Sequence, residues 1–105
     1  MAYDYGAVVA LADPTRRSVF ERVAKRPQSV AEITRSMTVS QSAVSQHLKV
    51  LKEARLVQSR TRGTRNIYHL DPRGIEKMRN WLDGMWTEAL ASFAAEVALD
   101  KKETP

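Results

Sequence analysis

Residues 40–57, SQSAVSQHLKVLKEARLV, constrain the fold more than any other stretch of the chain. Val44, Leu48 and Leu51 recur at i, i+4 and i+7, which predicts a helix with one apolar stripe. At about 100° per residue the opposite face carries Ser42, Gln46, Lys49 and Glu53, with Gln41 and Ser45 on its flanks. Most of these side chains are short or end in an amide, so they can approach base edges and phosphates without steric bulk. Ser40 is suited to cap the first turn. An ordinary solvated helix face has much the same composition, so the neighbouring segments decide what this helix is for.

Those segments carry clear start and stop signals. Asp13-Pro14 opens a helix, with Asp13 as N-cap and Pro14 in the first turn. TRRSVFERVAKR follows with Val19, Phe20 and Val23 inward, and Pro27 ends it. Ser29 and Glu32 have the spacing of a capping box, which predicts a short helix over residues 30–37 containing Ile33 and Met37. Thr38-Val39 leaves only a tight connection into the Ser40 cap. Short helix, turn and second amphipathic helix together form a helix-turn-helix pattern. Ahead of all this, residues 1–12 hold Tyr3, Tyr5, Val8, Val9 and Leu11 and predict a short helix begun or broken near Gly6. Alone it is too short to persist, so it must pack on something.

After Leu56 the pattern changes to β. LVQSR and RNIYHL flank Thr61-Arg62-Gly63-Thr64, where Gly63 supplies the freedom of a hairpin tip. Tyr68 and Leu70 are expected to face the body, while Arg60, Arg62 and Arg65 gather toward the tip. After such a helix pair, an arginine-tipped hairpin is expected to be the wing of a winged helix, placed to reach phosphates or the adjacent minor groove, rather than a charged surface hairpin whose arginines block edge aggregation. Asp71-Pro72 then starts a last helix, expected over residues 72–99. Ile75, Met78, Leu82, Met85, Ala89 and Phe93 recur at spacings of three or four, and Trp81, Trp86, Leu90 and Val97 form a second stripe. Some 25 helical residues would extend about 38 Å. A face that broad on a helix that long is explained by packing against a second copy, with the N-terminal helix alongside.

Composition narrows the function. At 105 residues the chain is expected to form one domain, residues 7–71 being the reading body and 72–99 the dimerisation helix. Residues 13–73 hold 13 Lys/Arg against 5 Asp/Glu, a net +8, while residues 74–105 carry −2. This central basic zone favours a polyanionic partner. With no run long enough for a membrane span and no signal-peptide pattern, a soluble cytoplasmic protein without membrane association is expected. The absence of cysteine removes disulfides, thiolate metal sites and a cysteine nucleophile. There is no phosphate-binding glycine loop, and Asp83 and Glu88 lie five apart, too poorly aligned for a carboxylate pair. No enzyme, cofactor or metal is therefore expected. The histidines, His47 and His69, fall on the recognition helix and the wing strand; His47 lies beside the apolar stripe, packed or touching phosphate.

Taken together, the chain resembles the ArsR/SmtB family of winged-helix repressors over residues 7–97. ADPTRRSVFERVAKRP is similar to the family's second helix with its D-P-x-R opening. SVAEITRSMTVSQSAVSQHLKVLKEARLV is similar to its helix-turn-helix, with the S-Q-x-x-x-S-x-H-L-x-x-L core, and RTRGTRNIYHL to its wing. The fold so implied is mainly α: four helices, a small β-hairpin, then a fifth helix, paired as a homodimer through the first and last helices. The resemblance implies a repressor that binds an inverted-repeat operator in double-stranded DNA. Its DNA contacts would come from Ser40, Gln41, Ser42, Ser45, Gln46, His47, Lys49, Arg60, Arg62 and Arg65. Its dimer contacts would come from Val8, Leu11, Met78, Trp81, Leu82, Met85, Trp86, Ala89 and Phe93. The chain departs from metal-sensing members, since AEITRSM holds no cysteine and the last helix no histidine. An unidentified small-molecule inducer at the dimer interface, and a winged helix used only for protein interaction, are the competing readings; the small polar groove-side residues speak against the second.

Overall fold

The computed structural model describes residues 6–103. Its elements are α1 (Gly6–Ala10), α2 (Pro14–Lys25), β1 (Gln28–Ser29), α3 (Val30–Arg35), α4 (Gln41–Glu53), β2 (Val57–Arg62), β3 (Arg65–Leu70) and α5 (Pro72–Glu103). The expected order is present with one addition, since β1 turns the two-stranded hairpin into a three-stranded antiparallel sheet ordered β1-β3-β2. The expected positions of Tyr3 and Tyr5 lie outside the described residues. Among the described residues no helix is long and apolar enough to cross a membrane.

The helices begin where their caps lie. Asp13 accepts a hydrogen bond from Arg16 N–H at 2.9 Å, which holds its carboxyl below the ordinary carboxylate range, and Pro14 follows in the first turn. Ser29 and Glu32 close the capping box of α3. Ser40 accepts from Ala43 N–H at 3.1 Å and starts α4. α3 is shorter than its periodicity suggests, ending at Arg35. Arg22 of α2 accounts for this by donating from Nε to Ser36 Oγ at 2.7 Å and from Nη2 to Ser36 O at 2.9 Å, fixing the turn. Met37 still packs against the core.

The core is one cluster: Val19 and Val23 from α2, Ile33 from α3, Val44, Leu48 and Leu51 from α4, then Leu56 and Val57, with Ala7 and Ala10 of α1 closing one side. Leu56 and Val57 enter it because α4 stops abruptly. Arg55 takes φ +60°, Arg55 N–H bonds to Lys52 O, and Leu56 N–H reaches back to Leu51 O at 3.0 Å. That is a Schellman cap with arginine where glycine is usual, at a cost of about 1 kcal/mol.

The start of α5 rests on this turn. Asp71 N–H donates to Leu56 O at 3.0 Å and Gly74 N–H to Arg55 O at 2.8 Å. A Cβ on Gly74 would collide with the Arg55 carbonyl and come within 2.8 Å of Ala54 O. Gly74→Ala should therefore cost about 1–3 kcal/mol through backbone displacement. A lower urea midpoint at unchanged m-value would report it. From there α5 runs 32 residues, four further than expected, or about 48 Å. Ile75 and Met78 pack on the core, but the helix outruns the body, and the molecule measures 73 × 27 × 21 Å.

Candidate nucleic-acid interface

α3, the turn at residues 36–40 and α4 form the helix-turn-helix. Burial of Val44, Leu48 and Leu51 fixes the rotation of α4 about its axis. That rotation leaves Ser40, Gln41, Ser42, Ser45, Gln46, Lys49 and Glu53 exposed and His47 half-buried at the edge. The polar set read from the sequence is thus brought to one outward face. Ser40 Oγ is shared with the cap, which limits its freedom to seek a second partner.

The hairpin stands beside this helix. Its strands pair from Val57↔Leu70 to Arg62↔Arg65, and Gly63, at φ +63°, begins the two-residue turn. Alternation along the strands sorts the side chains into two faces. Val57, Ser59, Thr61, Asn66, Tyr68 and Leu70 share the face toward the body; Val57 is buried, Tyr68 and Leu70 pack on the core, and Lys52 Nζ of α4 donates to Ser59 Oγ at 3.1 Å. Arg60, Arg62, Arg65, Ile67 and His69 share the other face, where with Pro27 they line a shallow hollow. The wing arginines therefore do cluster, but not equivalently. All three are exposed, but Arg65 is also paired, its Nη2 lying 2.7 Å from Glu32 Oε1 and 3.1 Å from Ser29 Oγ.

Two carboxylates support the site, and sequence reasoning assigned neither beyond its capping role. Glu32 is drawn down to about 2 by the Ser29 backbone N–H first, then by Arg26 and the Ser29 hydroxyl, with Arg65 adding charge attraction. Asp71, 1% exposed, is held well below the usual carboxylate range, chiefly by the Arg73 guanidinium, against the opposing effect of burial. Gln58 Nε2 on β2 also donates to Asp71, at 3.0 Å, so the base of the wing is tied to the start of α5. The D-P-R string offered the one available signal, an arginine two residues past a cap. His69 Nδ1 lies 3.0 Å from Leu70 O, and its Nε2 is buried without a hydrogen-bond partner among the described residues.

The expected dimer residues divide in the same way. Leu11 and Met78 pack on their own core and Val8 is half-buried, as is Trp81. Leu82, Met85, Trp86, Ala89 and Phe93 are exposed, and Leu90, Val97 and Leu99 extend the same open apolar surface along α5. Val9 of α1, 65% exposed, joins the set; it belongs to the predicted first helix, but single-turn helices give too little periodicity to say which valine points outward.

The family described as bacterial regulatory protein, arsR family, matches residues 13–59, from the cap of α2 into β2. The HTH-type transcriptional regulator Rv2034 of Mycobacterium tuberculosis is 50% identical over 95 residues, covering 90% of this chain and 89% of its own. The chain belongs to the ArsR family. It is a transcriptional regulator and not an enzyme. Among solved structures, a "possible transcriptional regulator for arsenical resistance" is 36% identical with a TM-score of 0.71, covering 86% of this chain and 94% of that one. An ArsR-family candidate from Mycobacterium bovis, described as a homodimeric winged helix-turn-helix DNA-binding domain, shares the fold at 24% identity and a TM-score of 0.63, covering 81% and 79%.

Proposed function

We propose that this ArsR-family chain binds an inverted-repeat operator in duplex DNA as a homodimer and represses by occluding the promoter. The observation that carries this reading is the exposed small-residue face of α4 beside an arginine-bearing hairpin. Residues 7–71 read the duplex, and the apolar face of α1 and α5 joins two copies, as the homodimeric M. bovis relative supports. Two recognition helices then enter successive major grooves about 34 Å apart. Gln41, Ser42, Ser45 and Gln46 meet base edges and Ser40, His47 and Lys49 lie near the backbone. Arg60 and Arg62 add phosphate contacts whose affinity falls with salt through counterion release. The regulator acts in the cytoplasm, where such a duplex is met.

The test is selection of bound duplexes from a random-sequence pool, followed by binding measurements at several salt concentrations. Enrichment of one inverted repeat and a steep salt dependence are expected; no enrichment over random DNA counts against the reading. Gln46→Ala should cost about 1–3 kcal/mol of discrimination at one base pair per half-site. Arg62→Ala should weaken all sequences alike and flatten the log–log salt slope by about one for each copy in the dimer.

A second reading, gating by a small apolar molecule, is favoured by a shallow hollow on α5 lined by Leu82, Asp83, Met85, Trp86 and Ala89. It lies inside the proposed dimer face, where packing by the second copy accounts for it equally. A ligand that lowers operator affinity without separating the copies would distinguish gating from packing alone.

A further inference from the structure

Glu32 lies in the first turn of α3, and its carboxylate is shared among three residues. Ser29 donates to Oε1 from its backbone N–H at 3.3 Å and from its hydroxyl at 3.1 Å, within the capping box. Arg26, just past α2, places Nη1 3.1 Å from Oε2. Arg65, the first residue of β3 and 33 positions along the chain, places Nη2 2.7 Å from Oε1. The same nitrogen donates to Ser29 Oγ at 3.1 Å.

The position of this contact along the hairpin gives it leverage. β1 pairs with β3 only at Ile67 and Tyr68, so toward the turn β2 and β3 pair with each other alone. A free two-stranded ribbon is marginal and flexes readily. Arg62 and Arg65 are also direct register partners, and like charges so placed disfavour the hairpin. Glu32 relieves that repulsion by drawing Arg65 toward α3. Arg62 remains exposed.

We propose that Glu32 is a wing-positioning residue, holding Arg65 against the start of α3 so that the hairpin presents Arg60 and Arg62, and not Arg65, to DNA phosphates. The proposal rests on the DNA-binding reading above for its second half only. Its first half concerns the free protein. The distance from the recognition helix to the wing cations is then set before DNA is met, by an ion pair that ties the wing to α3, the helix packed against α4. Preorganisation of this kind limits how much order must be imposed on binding.

Two substitutions separate this from a plain phosphate contact. Glu32→Gln removes the charge but leaves a residue that still fills a capping box. Arg65→Met removes the guanidinium and keeps the stem. In the free protein, both should speed amide hydrogen exchange across residues 60–66 several-fold while leaving Val57 and Leu70 protected. Arg65→Lys, which retains charge and reach, should restore much of the protection. On the duplex that the parent protein enriches most from a random pool, Arg65→Met should leave the salt slope unchanged but reduce sequence preference about 3- to 10-fold. Glu32→Gln should reduce preference similarly and steepen the slope by about one per copy, because Arg65 becomes free to seek phosphate. The double variant should match Arg65→Met in both respects.

A parent slope that flattens by about one per copy in Arg65→Met, with tighter binding in Glu32→Gln, would overturn the proposal by making Arg65 a phosphate ligand from the outset. Exchange unaltered in both variants would also overturn it, since the hairpin would then need no strut. If the parent enriches no duplex, the DNA-binding reading fails while the exchange measurement still decides whether Glu32 holds the wing.

Discussion

Trp86→Glu is expected to leave each protomer folded, convert the dimer to a monomer, and lower affinity for the selected duplex about 100-fold or more, as loss of the linked second half-site requires. The protomer tolerates the change because Trp86 is 66% exposed and contributes nothing to the buried cluster. Its neighbours Leu82, Met85, Leu90 and Phe93 are exposed as well, and large apolar side chains gathered on one open helix face mark an interaction surface. Each such side chain is worth about 1.5–3 kcal/mol when taken fully out of water. About a two-fold axis the substitution appears twice, so a desolvated carboxylate is introduced into both halves of the face. Sedimentation velocity reads the change in mass and circular dichroism the retained helix. Thr87→Glu is the control: it adds the same charge one residue along, off the apolar stripes. If Trp86→Glu sediments as the parent does, α5 is not where two copies meet.

Much of this architecture was legible because short-range signals carry it. Asp13-Pro14, Ser29 with Glu32, and Ser40 each start a helix where the sequence places it, since a cap satisfies backbone donors that the helix itself cannot. The stripe Val44–Leu48–Leu51 fixed the rotation of α4, and with it the exposed polar set opposite. What escaped notice depends on contacts distant in sequence or too brief to have a period. β1 is two residues long and shares Ser29 with a helix cap, so it leaves no alternation to read. Gln28 is buried there because its amide closes the end of α2, donating to Arg22 O at 2.6 Å. Gly74 reads as an ordinary helix glycine until the Arg55 carbonyl is seen beneath it. Arg65 reads as one of three tip arginines, and only the fold brings Glu32 to it across 33 residues.

Asp71→Ala should destabilise the protomer by about 2–3 kcal/mol. The side chain is 1% exposed and accepts from Arg73 N–H at 3.0 Å, from Arg73 Nη2 at 2.8 Å and from Gln58 Nε2 at 3.0 Å. Truncation removes the cap of α5, worth about 1 kcal/mol, and leaves the Gln58 amide without its acceptor. Arg73 is 55% exposed and can rehydrate, which keeps the loss below the 3–5 kcal/mol typical of breaking a fully buried pair. Asp71→Asn should cost less, because its carbonyl can still accept from the backbone and from Gln58. The charge has its own signature. Arg73 lowers the folded carboxyl below its unfolded value of about 3.9, so the ionised group binds its proton more readily in the unfolded chain. Its stabilisation is fully present above that unfolded value and disappears as pH falls through the folded one. Urea midpoints measured from pH 7 to pH 2 should therefore fall more steeply below pH 4 for the parent than for Asp71→Asn, the two curves converging in acid. Curves that stay parallel would mean that Asp71 acts as a cap alone, with no contribution from its pairing to Arg73.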